Sequence, residues 1–248
     1  MSTLILALAA GAVIGLALGV LGGGGSVLAV PALIYLLGFT PAAATTASLI
    51  IVSATSATAL YTHATSGNVR WKTGILFAAA GIVPAMAAAT LATRLPEAVL
   101  TAAFAAVAAL AALRMLKPPH AEQQPRSVRP ARAAGAGAGL GAVTGFLGVG
   151  GGFLAVPALV GVLGLRMRAA VGTSLLVITV NSLAALAAHA GTSTPLDWTV
   201  IAPFAGAAIL GAWDGKRLAS KISGPALQRI FAIVLLTVAA LMLTDALH

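Results

Sequence analysis

The sequence predicts an all-α polytopic membrane protein built from two inverted repeats, each a glycine-tipped re-entrant helical hairpin followed by three transmembrane helices. Three observations carry that expectation: composition, an internal duplication, and the placement of the basic residues. Of the 248 residues, 60% are hydrophobic and 8% charged, with a mean hydropathy of +1.04, so the polar surface that a soluble domain of this size needs is missing. Apolar runs of roughly 18 to 25 residues suit helices that cross a hydrocarbon core, whereas a β-barrel would show ten-residue alternation. The absence of cysteine excludes disulfides and thiolate metal sites. In a soluble protein a net charge of +9 would suggest nucleic acid, but here the basic residues lie in loops between apolar runs and report topology. The expected partners are therefore the lipid bilayer and a small ligand, with no nucleic acid, cofactor or metal. The opening "MSTLILALAAG" lacks a basic n-region and leads into a segment with a downstream counterpart, so it reads as a first membrane segment rather than a cleaved signal.

Shifting the chain by 126 residues superposes Gly11–Ala64 on Gly137–Ala190 without a gap, with 25 identities in those 54 positions. The stretch "KPPHAEQQPRSVRP", residues 117–130, separates the copies, because its prolines and charges cannot continue a buried helix. This divides the chain into repeat 1 (1–116), a cytoplasmic linker (117–132) and repeat 2 (133–248). In repeat 1 the expected segments are two arms at 4–21 and 27–38, then 42–62, 74–93 and 97–116. In repeat 2 they are arms at 134–148 and 152–165, then 168–190, 198–213 and 226–246.

Each second arm is short. Twelve helical residues rise about 18 Å, against a hydrocarbon core of about 30 Å, so the arm cannot cross and a re-entrant hairpin is the economical geometry. Charge supports this. If each glycine break reverses the chain, the halves have opposite orientations, and a cytoplasmic linker places 13 of the 14 Lys and Arg residues inside and Arg94 alone outside. Eight continuous spans in parallel repeats would divide the same residues 7 against 7. The expected arrangement is a multi-pass membrane protein with both termini outside.

The breaks themselves, "LGVLGGGGSVLAVPAL" (18–33) and "TGFLGVGGGFLAVPAL" (144–159), hold the candidate site. Gly11, Gly15 and Gly19, with Gly137, Gly141 and Gly145, have the small-xxx-small spacing of close helix packing. Consecutive glycines are different, since they break a helix and let backbone N–H groups approach a ligand. Gly23, Gly24, Gly25 and Ser26 in one copy, and Gly150, Gly151 and Gly152 in the other, are therefore read as paired anion-binding tips at helix N-termini. No lysine follows in P-loop spacing and no strand precedes, so neither break is a nucleotide motif.

At these residues a resemblance enters. Paired G-x-GGG breaks followed by "LAVPAL", then "ATTASL" (44–49), "VGTSLL" (171–176) and "GNVRW" (67–71), resemble the TauE/SafE sulfite exporter family. The resemblance covers nearly the whole chain and implies export of small oxyanions or organosulfur anions, such as sulfite or sulfonates, across the bacterial cytoplasmic (inner) membrane. This chain departs from the repeated pattern in a fourth glycine in copy one, in Ser26 where copy two has Gly152, and in "PLDW" (195–198) where copy one has "NVRW".

Hydroxyl and amide groups on the segment after each hairpin add donors without fixed charge, and Thr46, Ser48, Thr173, Ser174, Asn181 and Ser182 are the candidates. The bland account is that such groups bond back to carbonyls one turn earlier or join helices, and it is preferred for the remaining Ser and Thr. His63 and His189 hold equivalent positions at segment ends. A gate or proton-coupling role is open to them, although an interfacial or capping role is the simpler expectation. All five acidic residues fall at segment ends or in the linker, which argues for an anionic or neutral ligand. With no nucleophile and base, paired carboxylates or metal cluster, the chain is not expected to be an enzyme. The leading expectation is a secondary transporter or facilitator for a small anion. An anion channel, or a permease for another oxyanion or a carboxylate, is the alternative. The sequence leaves the oligomeric state open, a homodimer being one compatible arrangement.

Overall fold

A computed structural model of the chain describes residues 2–23, 26–92, 97–116, 129–147, 152–188 and 196–246. Among these residues the elements are helices and no strand occurs. The first copy forms α1 (Ser2–Leu21), α2 (Ser26–Pro31, continued by a π-helical turn over Ala32–Leu36), α3 (Pro41–Ala64), α4 (Trp71–Ala92) and α5 (Glu97–Leu116). The second forms α6 (Pro130–Leu147), α7 (Gly152–Gly161), α8 (Met167–Ala188), α9 (Trp198–Lys221) and α10 (Gly224–Ala246). α1, α3, α4, α8 and α10 are each long and apolar enough to cross a membrane.

Local chemistry accounts for the boundaries. Both second arms end on a glycine in the left-handed region, Gly38 (φ 70°) and Gly164 (φ 68°). At each, the next residue's N–H reaches back to satisfy a terminal carbonyl, Phe39 to Leu33 and Leu165 to Leu159, both at 3.0 Å. Thr40 caps α3 by accepting from Ala43 N, and Pro41 suits the first helical position. Asp197 caps α9 through the N–H of Thr199 at 3.0 Å, which explains the carboxylate in "PLDW".

Three elements differ from expectation. α9 continues to Lys221 instead of stopping at 213, because its charged end, with Arg217 and Asp214 paired at 3.4 Å, is helical and solvent-compatible beyond the apolar stretch. The end of the second arm in copy one is π-helical, following Pro31, which has no N–H to donate within the helix. The first arm, α1, has 20 residues and a rise of about 30 Å, so it is long enough to cross on its own.

The copies exchange their first arms. α1 lies along α9 and α6 lies along α4. A β-carbon at Gly11, Gly15 or Gly19 would overlap the carbonyl oxygens of Phe204, Ala208 and Ala212 in turn. Gly137, Gly141 and Gly145 stand in the same relation to Phe77, Gly81 and Ala85. Residue numbers rise together in both pairs, so each pair is parallel. Where lipid supplies no hydrophobic drive between helices, such backbone contact supplies the packing attraction.

α3 and α8, equivalent helices of the two copies, meet each other. The Ser56 and Thr179 hydroxyls are hydrogen-bonded at 2.9 Å, and Gly172 lies against the Asn68 carbonyl just past the end of α3. Numbers fall along one helix as they rise along the other, so this pair is antiparallel. The buried apolar side chains gather in two clusters. One includes α7 with Leu227, Phe231 and Leu235 of α10, and the other joins α1, α3 and α9 around Leu18, Ile51 and Phe204.

Candidate functional site

The first break forms where α1 ends. Gly22 takes φ 71°, a conformation natural to glycine, while its N–H still bonds to Leu18 O at 2.8 Å. A β-carbon there would stand 2.5 Å from Ser174 Oγ, and one at Gly23 would overlap the Gly152 carbonyl and press on the Phe153 backbone. The break of copy one therefore touches the start of the second arm of copy two. Gly23 and Gly152, placed in one site by the sequence, are brought together. Gly24, Gly25, Gly150, Gly151 and His189 lie outside the described residues. Ser26 opens α2.

The hydroxyl candidates separate into two groups. Thr46 donates to Ala42 O at 3.2 Å and Ser48 to Thr45 O at 2.8 Å, so both bond back to their own helix. Ser174 likewise donates to Val171 O at 2.8 Å, yet its oxygen faces Gly22. Thr173 accepts from Arg70 N at 3.1 Å, tying α8 to the turn before α4. Ser182 is buried. Asn181 keeps its Oδ1 buried with no hydrogen-bond partner, as do Ser53 Oγ and His63 Nδ1. A buried polar atom without a partner is costly, and three of them on α3 and α8 mark where a polar ligand or water is wanted.

His63 takes the capping rather than the interfacial form of the simpler expectation, because its ring bonds a carbonyl in the last turn of α1. It lies in the last turn of α3, is only 4% exposed, and donates from Nε2 to Gly19 O at 3.1 Å, one turn before the break. Sequence spacing places His63 near a loop, but only the packing of α1 against α3 shows that the ring turns inward.

Two features were missed by sequence reasoning. The Ser56–Thr179 bond joins two residues assigned there to helix packing, and nothing in their spacing marks them as partners. Lys216, counted as a topology signal, sits beside Gly215, whose backbone packs against Leu16 O and Gly19 Cα.

A cavity of about 480 Å³ lies between α1 and α2, bordered by Leu6, Val13, Leu28, Pro31, Tyr35 and Leu36. It has no charged or amide side chain, and Tyr35 and Leu36 at its edge are exposed. That lining suits acyl chains and offers an anion nothing.

Comparison with known proteins agrees with this architecture. The profile of a family described as sulfite exporter TauE/SafE matches residues 7–242. Two proteins described as "Probable membrane transporter protein", from Xylella fastidiosa strain 9a5c and strain Temecula1 / ATCC 700964, are 35% and 33% identical to it over 245 residues. Each alignment covers 96% of this chain and 94% of the relative. No solved structure matches the chain significantly.

Proposed function

The chain belongs to the TauE/SafE sulfite exporter family and is a multi-pass membrane transporter, not an enzyme; from that premise we propose that it exports a small anion, such as sulfite or an organosulfonate, across the bacterial cytoplasmic membrane. The anion binds between the two glycine breaks. In this reading the halves 1–116 and 133–248 are inverted repeats, the linker 117–132 is cytoplasmic and both termini face outside. Antiparallel α3 and α8, parallel α1 and α9, and parallel α6 and α4 are what a two-fold axis in the membrane plane requires.

The observation that carries the proposal is the contact of Gly23 with Gly152 and Phe153. It joins the glycines that follow α1 in one copy to the N-terminal end of a helix in the other, where N–H groups and the helix dipole favour negative charge. Asp197 and Asp214 are exposed. Rocking of the copies about the exchanged arms alternates access to the ligand.

A thermal-shift screen of purified protein against sulfite, sulfate, thiosulfate, sulfonates and carboxylates, followed by efflux from proteoliposomes, tests the proposal. One anion class stabilises the protein and is transported, and Gly24→Val and Gly151→Val abolish efflux while leaving folded protein. Stabilisation by no anion, or normal efflux in both variants, overturns it.

A further inference from the structure

α3 and α8 cross antiparallel, and a shift of 126 residues exchanges the partners at that crossing: Ser56 becomes Ser182 and Thr179 becomes Ser53. A two-fold relation between the copies therefore turns the Ser56–Thr179 contact into a Ser182–Ser53 contact, one helical turn away on the same faces. The structure makes the first and not the second. The Thr179 and Ser56 hydroxyls are hydrogen-bonded at 2.9 Å, whereas Ser53 Oγ, equally buried, has no partner. Ser182 is buried as well. A buried hydroxyl left unpaired costs free energy, and for Ser53 the chain itself holds the missing partner.

Burial shows the same imbalance along the crossing. At the end where α3 finishes and α8 starts, Gly172 lies against the Asn68 carbonyl and Thr173 Oγ1 accepts from Arg70 N at 3.1 Å. There α8 is buried without interruption from Ala170 to Thr179, while the equivalent stretch of α3, 44–53, has Thr45 exposed and Leu49 and Ile50 half-buried. At the opposite end, Asn181 and Ala185 of α8 are half-buried, although their counterparts in α3, Thr55 and Ala59, are fully buried. An exact two-fold would make these pairs equal. The crossing is packed more tightly on the Ser56–Thr179 side than on the Ser53–Ser182 side.

We propose that this crossing is a two-position latch. In this structure Ser56–Thr179 is closed; in the oppositely facing state the copies trade conformations, Ser53 bonds Ser182, and Ser56–Thr179 opens. The proposal rests on the reading of the halves as inverted repeats, and it goes further by naming the contact that alternates. With the linker cytoplasmic, α3 runs inward and its Ser56 lies on the inner side of Ser53, so the structure is the form closed toward the cytoplasm. Each position of the latch joins one pair of neutral hydroxyls. Exchanging one bond for its equivalent keeps the two states close in free energy, which lets a small differential interaction with a ligand shift the population.

Because the chain has no cysteine, paired substitutions in the full-length protein in membranes test this. Ser56→Cys with Thr179→Cys, and Ser53→Cys with Ser182→Cys, are each oxidised with copper phenanthroline, and the linked peptides are read by mass spectrometry. Both pairs form a disulfide, the first faster, and the first pair also reports that the protein is folded. Thr179→Val added to the second pair speeds its cross-linking about threefold, the loss of one interhelical hydrogen bond, and Thr179→Ser, which keeps the hydroxyl, does not. In protein with all four substitutions each molecule carries one disulfide or the other. Molecules bearing both, a second pair that never links, or an unchanged rate with Thr179→Val overturns the inference and leaves the anion-transport reading standing. Wild type that moves no anion in proteoliposomes overturns the transport reading and leaves the exclusive cross-links in place.

Discussion

The two second arms share the sequence LAVPAL and differ in how they are held. In copy two that stretch lies in α7, helical throughout, with Phe153, Leu154, Ala155, Val156 and Leu159 all within 3% exposure, against α5, α6 and α8. In copy one the same letters run from α2 into a π-helical turn, Pro31 is exposed, and Tyr35 and Leu36 are 74% and 52% exposed. Pro31 and Pro157 remove the same intrahelical bond, so proline alone does not explain the difference. Neighbours do: where packing clamps the arm it stays α, and where the outer face opens toward lipid the turn widens. One arm is a fixed wall, and the other is free to adjust.

What the copies share is the strongest place to strike. Gly15→Leu and Gly141→Leu each drive a side chain into a facing backbone carbonyl, of Ala208 and Gly81 respectively. Each is expected to cost about 3 kcal/mol or more and to leave little folded protein by size-exclusion chromatography. Tolerance of one and not the other would break the equivalence of the exchanged arms. The next test bears on what differs. Leu154 is 3% exposed, and its counterpart Leu28 is half-buried at the apolar cavity between α1 and α2. Leu154→Ala is expected to cost about 3 kcal/mol and Leu28→Ala less than half as much in unfolding from mixed micelles. Equal losses would mean that both arms are clamped. The smallest effect is at the α3–α8 crossing, where Thr179→Val removes one interhelical hydrogen bond and costs about 0.6 kcal/mol.

Much of this architecture was legible in the chain. Apolar run length located the helices of the described residues to within a few residues at most ends, and small-xxx-small spacing marked the stripes at Gly11–Gly19 and Gly137–Gly145, because both signals are local. The contact of Gly23 with Gly152 joins two residues that the duplicated breaks had already placed in one candidate site. The inward turn of His63 was not legible, because it depends on where the Gly19 carbonyl falls on a helix 44 residues away. Nor was the end of α9, whose charges read as loop although Asp214 and Arg217 support a helix. The π turn after Pro31 was invisible for a plainer reason: its letters are those of an α-helix elsewhere in the same molecule.

The central claim is that two copies of one unit face opposite ways and so bring their breaks together. The chain has no cysteine, which allows a direct measurement at the equivalent, exposed positions Thr40 and Arg166 that follow the two second arms. Single Thr40→Cys and Arg166→Cys variants are treated with a membrane-impermeant maleimide on intact cells and again after permeabilisation. Position 40 is expected to be labelled from outside and position 166 only once the membrane is opened. Labelling of both from the same side would contradict the claim.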